Sequence, residues 1–210
     1  TGIPTRDLNT GSGYNSLIAL GAGEGSYQKQ KLVPFGEYIP FVNVLGKLLA
    51  FFDLPVAAMS AGDSKQSPLE INGWRAQPLI CYEVVYPSFT AKAAANSQVL
   101  ITVSNDSWFG HSIGPLQHLQ MAQMRAIENQ KYVLRSTGNG VTAIIDPNGN
   151  INHRSEQFNQ TVVSGEFFTF SGQTPWTRYG YWLIPSLCGL LCISLGILKR
   201  RSQDGRLEAS

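Results

Sequence analysis

The sequence predicts an α/β fold followed by one membrane-spanning helix. Two apolar runs, one ending at Cys81 and one over residues 98–104, flank a short helical segment, which is the pattern of a parallel βαβ unit. The 210 residues include 21 glycines and 11 prolines, which indicates many turns between short elements rather than a helical bundle. A third apolar run, residues 179–198, carries no charge and has the length of a membrane span.

Composition argues against several classes of function. The net charge is +2 and only 14% of the residues are charged, so no basic face for nucleic acid is expected. Cys188 and Cys192 lie in the third apolar run, away from Cys81, and no disulfide framework follows. Neither cysteine of this pair has a histidine or carboxylate close in sequence, so no metal site is expected. The three histidines lack the spacing of metal ligands and are interpreted as surface or structural residues: His111, His118 and His153.

The first third of the chain predicts one strand and one shaped loop. Residues 14–20 read as a strand between glycine-rich turns. Residues 34–40 hold two prolines and a glycine around Glu37, which is either a solvated loop acid or a desolvated acid with a partner. The strongly apolar segment Phe41–Val56 is either an arm on a lipid surface or ordinary core, and the pattern alone leaves both open.

The central stretch Leu79–Glu83 brings a thiol and a carboxylate to the end of a strand. A hairpin about Asn72-Gly73 leads into this strand. Alternation in extended backbone places Cys81 and Glu83 on one side and Tyr82 on the other. A thiolate is a strong nucleophile but needs a nearby cation or base, whereas the alternative is a small buried core thiol.

The following elements complete the βαβ pattern and extend it. Residues 87–95 predict a short helix, residues 98–104 a buried strand, and the loop after it carries Trp108 and Phe109. Because ligand sites gather beyond the carboxyl ends of parallel strands, these two aromatic residues either wall a pocket or pack the loop. Gly114-Pro115 opens a helix of about fifteen residues. Its predicted inward face is Leu116, Leu119, Met124 and Ile127, and its predicted outer face is Arg125, Glu128 and Lys131.

The last part of the chain predicts strands, a linker and the membrane helix. Residues 132–136, 140–145 and 161–168 read as extended, with a turn at 146–149. We expect a soluble domain over 1–172, a linker over 173–178, a membrane helix over 179–198 and a tail over 199–210. Aromatic residues at the start of the run and Lys199-Arg200-Arg201 after it orient the tail to the cytoplasm. The alternative for this run is a buried core helix.

Four stretches of the chain resemble one family. They are Tyr27-x-Lys29-x-x-Leu32-Val33-Pro34-Phe35-Gly36-Glu37, Ile80-Cys81-Tyr82-Glu83, Asn105-Asp106-Ser107-Trp108-Phe109-Gly110 and Gly114-Pro115-x-Gln117-His118. Together they resemble the catalytic domain of the apolipoprotein N-acyltransferases, the membrane branch of the nitrilase superfamily. The resemblance runs from residue 1 to the C-terminal membrane helix.

The resemblance implies a nitrilase-like α-β-β-α sandwich, truncated at its N-terminus, and a Glu-Lys-Cys triad without a cofactor. Cys81 matches the nucleophile and Lys29 the lysine, with Lys31 as its rival. Glu37, Tyr82 and Glu83 match further residues needed around the site. The general-base glutamate and several membrane helices would precede Thr1, so the chain resembles the C-terminal part of such an enzyme.

Three functions are compatible with these residues. The first, implied by the resemblance, is transfer of an acyl chain from a membrane phospholipid through a Cys81 thioester to the N-terminal diacylglyceryl-cysteine of an apolipoprotein. It implies the bacterial inner membrane, with the catalytic domain on the periplasmic side. The second is hydrolysis of small amides by a soluble-type amidase of the same superfamily. The third is a non-catalytic, membrane-tethered binding module.

Overall fold

The computed structural model describes residues 1–40 and 59–207. The apolar segment Phe41–Val56, whose placement in an arm or in the core the sequence leaves open, lies outside the described residues. Within them the strands are β1 (Gly2–Arg6), β2 (Gly13–Ile18), β3 (Gly23–Glu24), β4 (Ser26–Gln28), β5 (Leu69–Ile71), β6 (Trp74–Ile80), β7 (Val99–Ser104), β8 (Val133–Thr137), β9 (Ala143–Ile145) and β10 (Ile151–Arg154). The α-helices there are α1 (Pro87–Ala94), α2 (Gly114–Asn129), α3 (Pro175–Tyr179) and α4 (Leu183–Leu207), and 3₁₀ turns cover Cys81–Val85, Asp106–Phe109 and Gly180–Trp182.

The larger sheet has the strand order β10-β9-β8-β7-β6-β5-β3. Strands β6, β7 and β8 are parallel, and the strands on either side of them are antiparallel. The predicted βαβ unit is therefore confirmed as β6-α1-β7. The predicted hairpin is also present: Asn72 and Gly73 both have positive φ, at 48° and 81°, as a two-residue turn between β5 and β6 requires.

The smaller sheet, β1-β2-β4, packs on one face of the larger one. Leu17 and Tyr27 of the small sheet share a buried cluster with Leu69 and Ile80 of the large sheet. The sequence pattern predicts no strand before residue 14, whereas the structure has β1, in which Pro4 lacks the N–H of a ladder residue. Among the described strands β1 pairs with β2 alone, and an edge strand tolerates proline.

Helices α1 and α2 cover the opposite face of the larger sheet. Leu79, Leu100 and Val133, from three neighbouring strands, form one core with alanines of these helices. Val99 and Ile101, the neighbours of Leu100 along β7, face the opposite side of the sheet, as the alternation of a strand requires. Within residues 1–40 and 59–207 the layers are thus helix, sheet and sheet, which is three of the four layers expected.

The predicted orientation of α2 is wrong for most of its residues. Leu119 is buried, but Leu116, Met124 and Ile127 are 42%, 49% and 40% exposed, and Arg125 is buried. The stripe that faces the sheet has the helical spacing i, i+3, i+4 and i+7, and small residues let the helix approach closely. It consists of Pro115, His118, Leu119, Ala122, Arg125, Ala126 and Asn129.

Residues 161–168 contain no strand, contrary to the prediction. Val163 and Phe167 instead pack their side chains on one face of the sheet, against the cluster around Val99 and Tyr132. The apolar alternation in this segment therefore reflects contact with the face of the sheet rather than pairing in its ladder.

The C-terminal apolar run is bent. The segment predicted as a linker holds α3, and Pro175–Trp182 meets Ile184–Ile197 at an angle of 60°. Among the described residues no single helix is long and apolar enough to cross a membrane. The two bent segments taken together have the required length and apolar composition. The single span over 179–198 is therefore not confirmed. Gly180 has φ +57°, outside the helical region. Pro185 lies in the first turn of α4, and in one straight helix its ring would clash with the carbonyl of Tyr181.

Candidate active site

Cys81 occupies a strained position directly after the central strand. Strand β6 ends at Ile80, and Cys81 begins a 3₁₀ turn with φ +54°. A non-glycine residue in this region is disfavoured by ~1–3 kcal/mol and persists only where its surroundings hold it. The side chain is half-buried and packs against the cluster that holds Leu17, Tyr27 and Ile80. The turn therefore presents the thiol at the carboxyl end of the parallel strands.

Glu83 holds this turn against the segment that carries Lys29. Its side chain is fully buried, and Oε2 accepts a hydrogen bond from the Ile80 N–H at 2.7 Å. Oε1 accepts from the N–H groups of Gln30 and Lys31 at 2.7 and 3.0 Å, and from the Tyr27 hydroxyl at 3.0 Å. The expected sharing of one side by Cys81 and Glu83 is wrong, because the strand has ended and the backbone curls into a turn. Glu83 is instead the link between two elements of the site.

Burial dominates the electrostatics of Glu83. Burial raises the pKa of its carboxyl, and the hydrogen bonds from the Ile80, Lys31 and Gln30 N–H groups oppose that rise. Burial, together with the Glu83 charge, also raises the pKa of the Tyr27 hydroxyl. Tyr27 therefore stays a hydrogen-bond donor to Glu83 over the whole physiological pH range.

Lys29 and Glu37 form an ion pair within the site. The Lys29 ammonium is buried and donates to Oε1 and Oε2 of Glu37 at 2.8 and 2.7 Å. Glu37 also accepts from the Asn15 side-chain amide at 2.5 Å and from the Val33 N–H at 2.7 Å. Of the two alternatives for Glu37, the structure shows the paired acid.

Lys31 lies elsewhere. Its ammonium sits over the Phe89 ring, 5.7 Å from the centroid, and the residue is exposed. Of the two rival lysines, Lys29 is therefore the one that is buried and paired with a carboxylate.

The predicted aromatic residues occupy the loop after β7. Trp108 is 83% exposed, whereas the Phe109 ring lies 6.1 Å from the His118 ring and packs the loop. The Tyr82 ring makes an edge contact with the Tyr86 ring, with the centroids 5.7 Å apart. Trp108 is thus free to contact a ligand, and Phe109 supports the structure beneath it.

Sequence reasoning missed a buried polar network under the nucleophile turn. Nε2 of His118 lies 3.2 Å from the carbonyl oxygen of Cys81, and Nδ1 lies 3.1 Å from Oδ1 of Asp106. Arg135 donates from Nη2 to Oδ2 of Asp106 at 2.7 Å, and Ser104 donates to Oδ1 at 2.6 Å. Burial alone would raise the pKa of Asp106, but hydrogen bonds from His118 and Ser104 and the Arg135 charge hold it below its ordinary value.

One signal for this network was present in the sequence. His118 recurs with Ala122 and Arg125 at helical spacing on the alanine-containing face of α2. The apolar pattern assigns the inward face to the larger apolar residues, and His118, from its lack of metal-ligand spacing, is interpreted as a surface or structural histidine. The structure shows a buried histidine with polar partners. Within the part of the chain that the structure describes, no group of three His, Cys, Asp or Glu side chains is arranged to hold a metal ion.

The fold and this site define an α/β sandwich of the nitrilase class. A thiol follows a strand end, and Glu83 joins its turn to the segment that carries the Lys29–Glu37 pair. A family profile described as carbon-nitrogen hydrolase matches residues 1–167, so the chain belongs to the carbon-nitrogen hydrolase family. Two solved structures share the fold. Saccharomyces cerevisiae Nit3, of the nitrilase superfamily, has a TM-score of 0.55 at 20% identity and covers 78% of this chain and 56% of its own. A carbon-nitrogen hydrolase from Helicobacter pylori has a TM-score of 0.53 at 16% identity and covers 71% of this chain and 55% of its own.

Within that family the chain is similar to apolipoprotein N-acyltransferases. It is 51% identical to that of Azotobacter vinelandii over 97% of this chain and 40% of the relative. For Pseudomonas aeruginosa the identity is 50%, over 99% of this chain and 41% of the relative. For Coxiella burnetii it is 40%, over 87% of this chain and 38% of the relative. The chain thus spans about two fifths of the length of these relatives.

Proposed function

We propose that this chain is the catalytic part of a membrane acyltransferase that N-acylates bacterial lipoproteins. The acyl donor is a membrane phospholipid, and the acceptor is the α-amino group of the diacylglyceryl-cysteine at the lipoprotein N-terminus. The observation that carries the proposal is identity of about one half to apolipoprotein N-acyltransferases over nearly the whole chain. The strained Cys81 and the buried Lys29–Glu37 pair support the chemistry.

The first half-reaction transfers the acyl group to the thiol. The Cys81 sulfur attacks the ester carbonyl, a C–S bond forms, and the ester C–O bond breaks to release a lysophospholipid. The thiol proton passes through the general-base glutamate, implied by the family resemblance, to the departing oxygen. A tetrahedral oxyanion forms on the way, and the Lys29 ammonium and the backbone N–H of Tyr82 are its donors.

The second half-reaction consumes the thioester. The lipoprotein amine attacks the thioester carbonyl, a C–N bond forms, the C–S bond breaks, and the proton lost by the amine returns to the Cys81 thiolate. A thioester is stable enough to wait for the second substrate and reactive enough toward an amine.

Glu37 positions the lysine in this scheme. Two hydrogen bonds to one carboxylate fix the direction of the Lys29 ammonium, while Asn15 and the Val33 N–H fix the carboxylate. Removing one partner of a buried ion pair is strongly destabilising, so Glu37 also stabilises the fold around Lys29.

The C-terminal helices support a membrane location. Trp182, Leu187 and Leu190 are 78%, 57% and 64% exposed, which is a large apolar surface for a protein in water. With the basic residues after the run on the cytoplasmic side, the catalytic domain lies on the periplasmic face of the inner membrane.

The test is mass spectrometry of the full-length protein after incubation with phospholipid vesicles. We expect an acyl adduct on Cys81 that disappears when a diacylglyceryl-cysteine peptide is added and that is absent in Cys81→Ser. Absence of the adduct in the wild-type protein under turnover conditions would contradict the proposal. Release of ammonia from small amides without lipid would favour the amidase instead, and full function of Cys81→Ala would favour the binding module.

A further inference from the structure

The peptide unit between Cys81 and Tyr82 carries both a buried acceptor and the candidate oxyanion donor. Its carbonyl belongs to Cys81 and its N–H to Tyr82, and the unit is planar, so fixing the oxygen also fixes the direction of the N–H. This N–H lies in the first turn of the 3₁₀ segment Cys81–Val85, where backbone donors have no partner inside the helix. A group that fixes the Cys81 carbonyl therefore also fixes the direction of the Tyr82 N–H.

His118 makes the contact with the carbonyl. The distance from Nε2 of His118 to the Cys81 oxygen is 3.2 Å. A carbonyl oxygen only accepts, so Nε2 carries the hydrogen of this bond. We propose that His118 is a positioning residue that holds the Cys81–Tyr82 peptide so that its N–H faces the oxyanion formed on the acyl carbonyl; this rests on the proposed acyl-transfer function.

The imidazole is itself held in place from the other side. His118 is 3% exposed, and its Nδ1 lies 3.1 Å from Asp106 Oδ1 and 3.2 Å from Arg135 Nη2. Arg135 is anchored by Asp106 and by the Val141 carbonyl, to which Nε donates at 3.2 Å. The ring therefore cannot turn without breaking a buried ionic network, and its bond to Cys81 is rigid.

Arg135 adds a buried cation to this network. Its Nη1 is buried and has no hydrogen-bond partner among the residues that the structure describes. Burial lowers the pKa of Arg135, and the charge and hydrogen bond of Asp106, with a smaller contribution from Cys81, act in the opposite direction. The network thus supports the site by geometry, because the Asp106–Arg135 ion pair fixes the imidazole that contacts the Cys81 carbonyl.

Two amides at position 118 separate a positioning role from a structural one. The side-chain amide of glutamine in His118→Gln reaches as far as Nε2, so it can donate to the Cys81 carbonyl. The shorter amide in His118→Asn reaches only as far as Nδ1, so it keeps the contact with Asp106 and loses the carbonyl. The full-length protein in detergent is assayed with p-nitrophenyl butyrate, which reports acylation of Cys81 by release of p-nitrophenolate.

We expect His118→Asn to lower kcat for this ester by ~30–100-fold with KM within about twofold, since oxyanion donors act in the transition state. His118→Gln recovers kcat to within about fivefold of wild type. Alkylation of Cys81 by iodoacetamide, which forms no oxyanion, proceeds within about threefold of the wild-type rate in both variants.

Equal losses in acylation and alkylation, or equal losses in the two variants, would overturn the inference, as would wild-type kcat in His118→Asn. The readout needs neither phospholipid nor lipoprotein. A protein that is acylated by the ester but never by phospholipid would therefore refute the proposed function and leave the role of His118 standing.

Discussion

Single buried residues carry the candidate site, and almost all of their polar atoms are paired. Glu83 accepts four hydrogen bonds, and Glu37 accepts two from Lys29 and two more from other residues. A buried carboxylate whose hydrogen bonds are all made holds its neighbours in one arrangement. Loss of one partner leaves a buried polar group unpaired and lowers the free energy of unfolding. Small substitutions at these residues therefore have large and distinguishable effects.

Glu83→Gln should destabilise the protein although it changes little in volume. Both oxygens of Glu83 accept from backbone N–H groups, one from Ile80 and the other from Gln30 and Lys31. In either orientation of the glutamine amide, its NH₂ group replaces one of these oxygens and faces a backbone donor. We expect a loss of about 2 kcal/mol in the free energy of unfolding. Thermal unfolding in detergent measures it as a midpoint lowered by roughly 4–8 °C. Glu70→Gln, at an exposed position of β5, is the control, and equal midpoints for the two variants would contradict the prediction.

Lys29 and Lys31 should respond very differently to the same change. Lys29→Met removes the buried ammonium beside Glu37 and should lower the rate of Cys81 acylation by ~10²–10³-fold, as for the loss of one oxyanion donor. Lys31→Met removes an exposed side chain over Phe89 and should leave that rate within about twofold. Single-turnover acylation with an activated ester separates them, and a larger loss in Lys31→Met would reverse the assignment.

At the scale of elements, the helix layer is fastened to the segment that follows the domain. Lys131, just after α2, is 1% exposed and donates to the carbonyls of Phe170 and Gly172 at 3.1 and 3.0 Å. Thr174 donates to the Glu128 carbonyl at 2.6 Å. These bonds tie the start of the C-terminal helices to the end of α2.

The buried ammonium of Lys131 should give the stability of the protein a pH dependence. Burial lowers its pKa in the folded state below the ordinary 10.5. Between the lowered pKa and 10.5 the unfolded chain binds more protons, so the free energy of unfolding rises with pH through that window. Chemical denaturation at several pH values up to 10.5 should show this rise in the wild type and a flatter profile in Lys131→Met. The exposed Lys92→Met should keep the wild-type slope, and an unchanged slope in Lys131→Met would contradict the account.

At the scale of the whole molecule, two surfaces have opposite characters. The sandwich packs many of its apolar side chains into three buried clusters and exposes others singly, such as Trp108 and Met124. Helix α4 exposes leucines and isoleucines along its length. Water disfavours such a surface, and a bilayer accepts it. The proposed function needs this division, because the thiol must reach a phospholipid ester.

A charge in the middle of the apolar run should weaken membrane binding. Leu190 is 64% exposed on α4, and an arginine at the centre of a membrane segment costs about 3 kcal/mol. Leu190→Arg should therefore lower the partition of this chain into phospholipid vesicles by about 100-fold, measured by flotation. Gln203→Arg, beyond the run, is the matched control. Flotation of Leu190→Arg equal to that of the control would show that α4 does not enter the bilayer.

The sequence by itself determined the parts of this protein that local pattern encodes. The βαβ unit, the Asn72-Gly73 turn and the start of α2 follow from apolar runs and turn residues a few positions apart. Lys29, Glu37 and Cys81 were found as motifs, because each stands in a short, specific string of neighbours. The strings did not show that Lys29 and Glu37 form an ion pair, or that Glu83 joins their segment to the Cys81 turn.

Only the tertiary structure decided which buried groups meet. Glu83 bonds to Gln30 across 53 positions, and His118 to the Cys81 carbonyl across 37, distances over which no sequence periodicity operates. The inward face of α2 was decided by how closely its alanines let it approach the sheet, and the bend before α4 by Gly180 and Pro185. Burial of polar groups depends on partners from distant segments, and the chain supplies those partners only once it is folded.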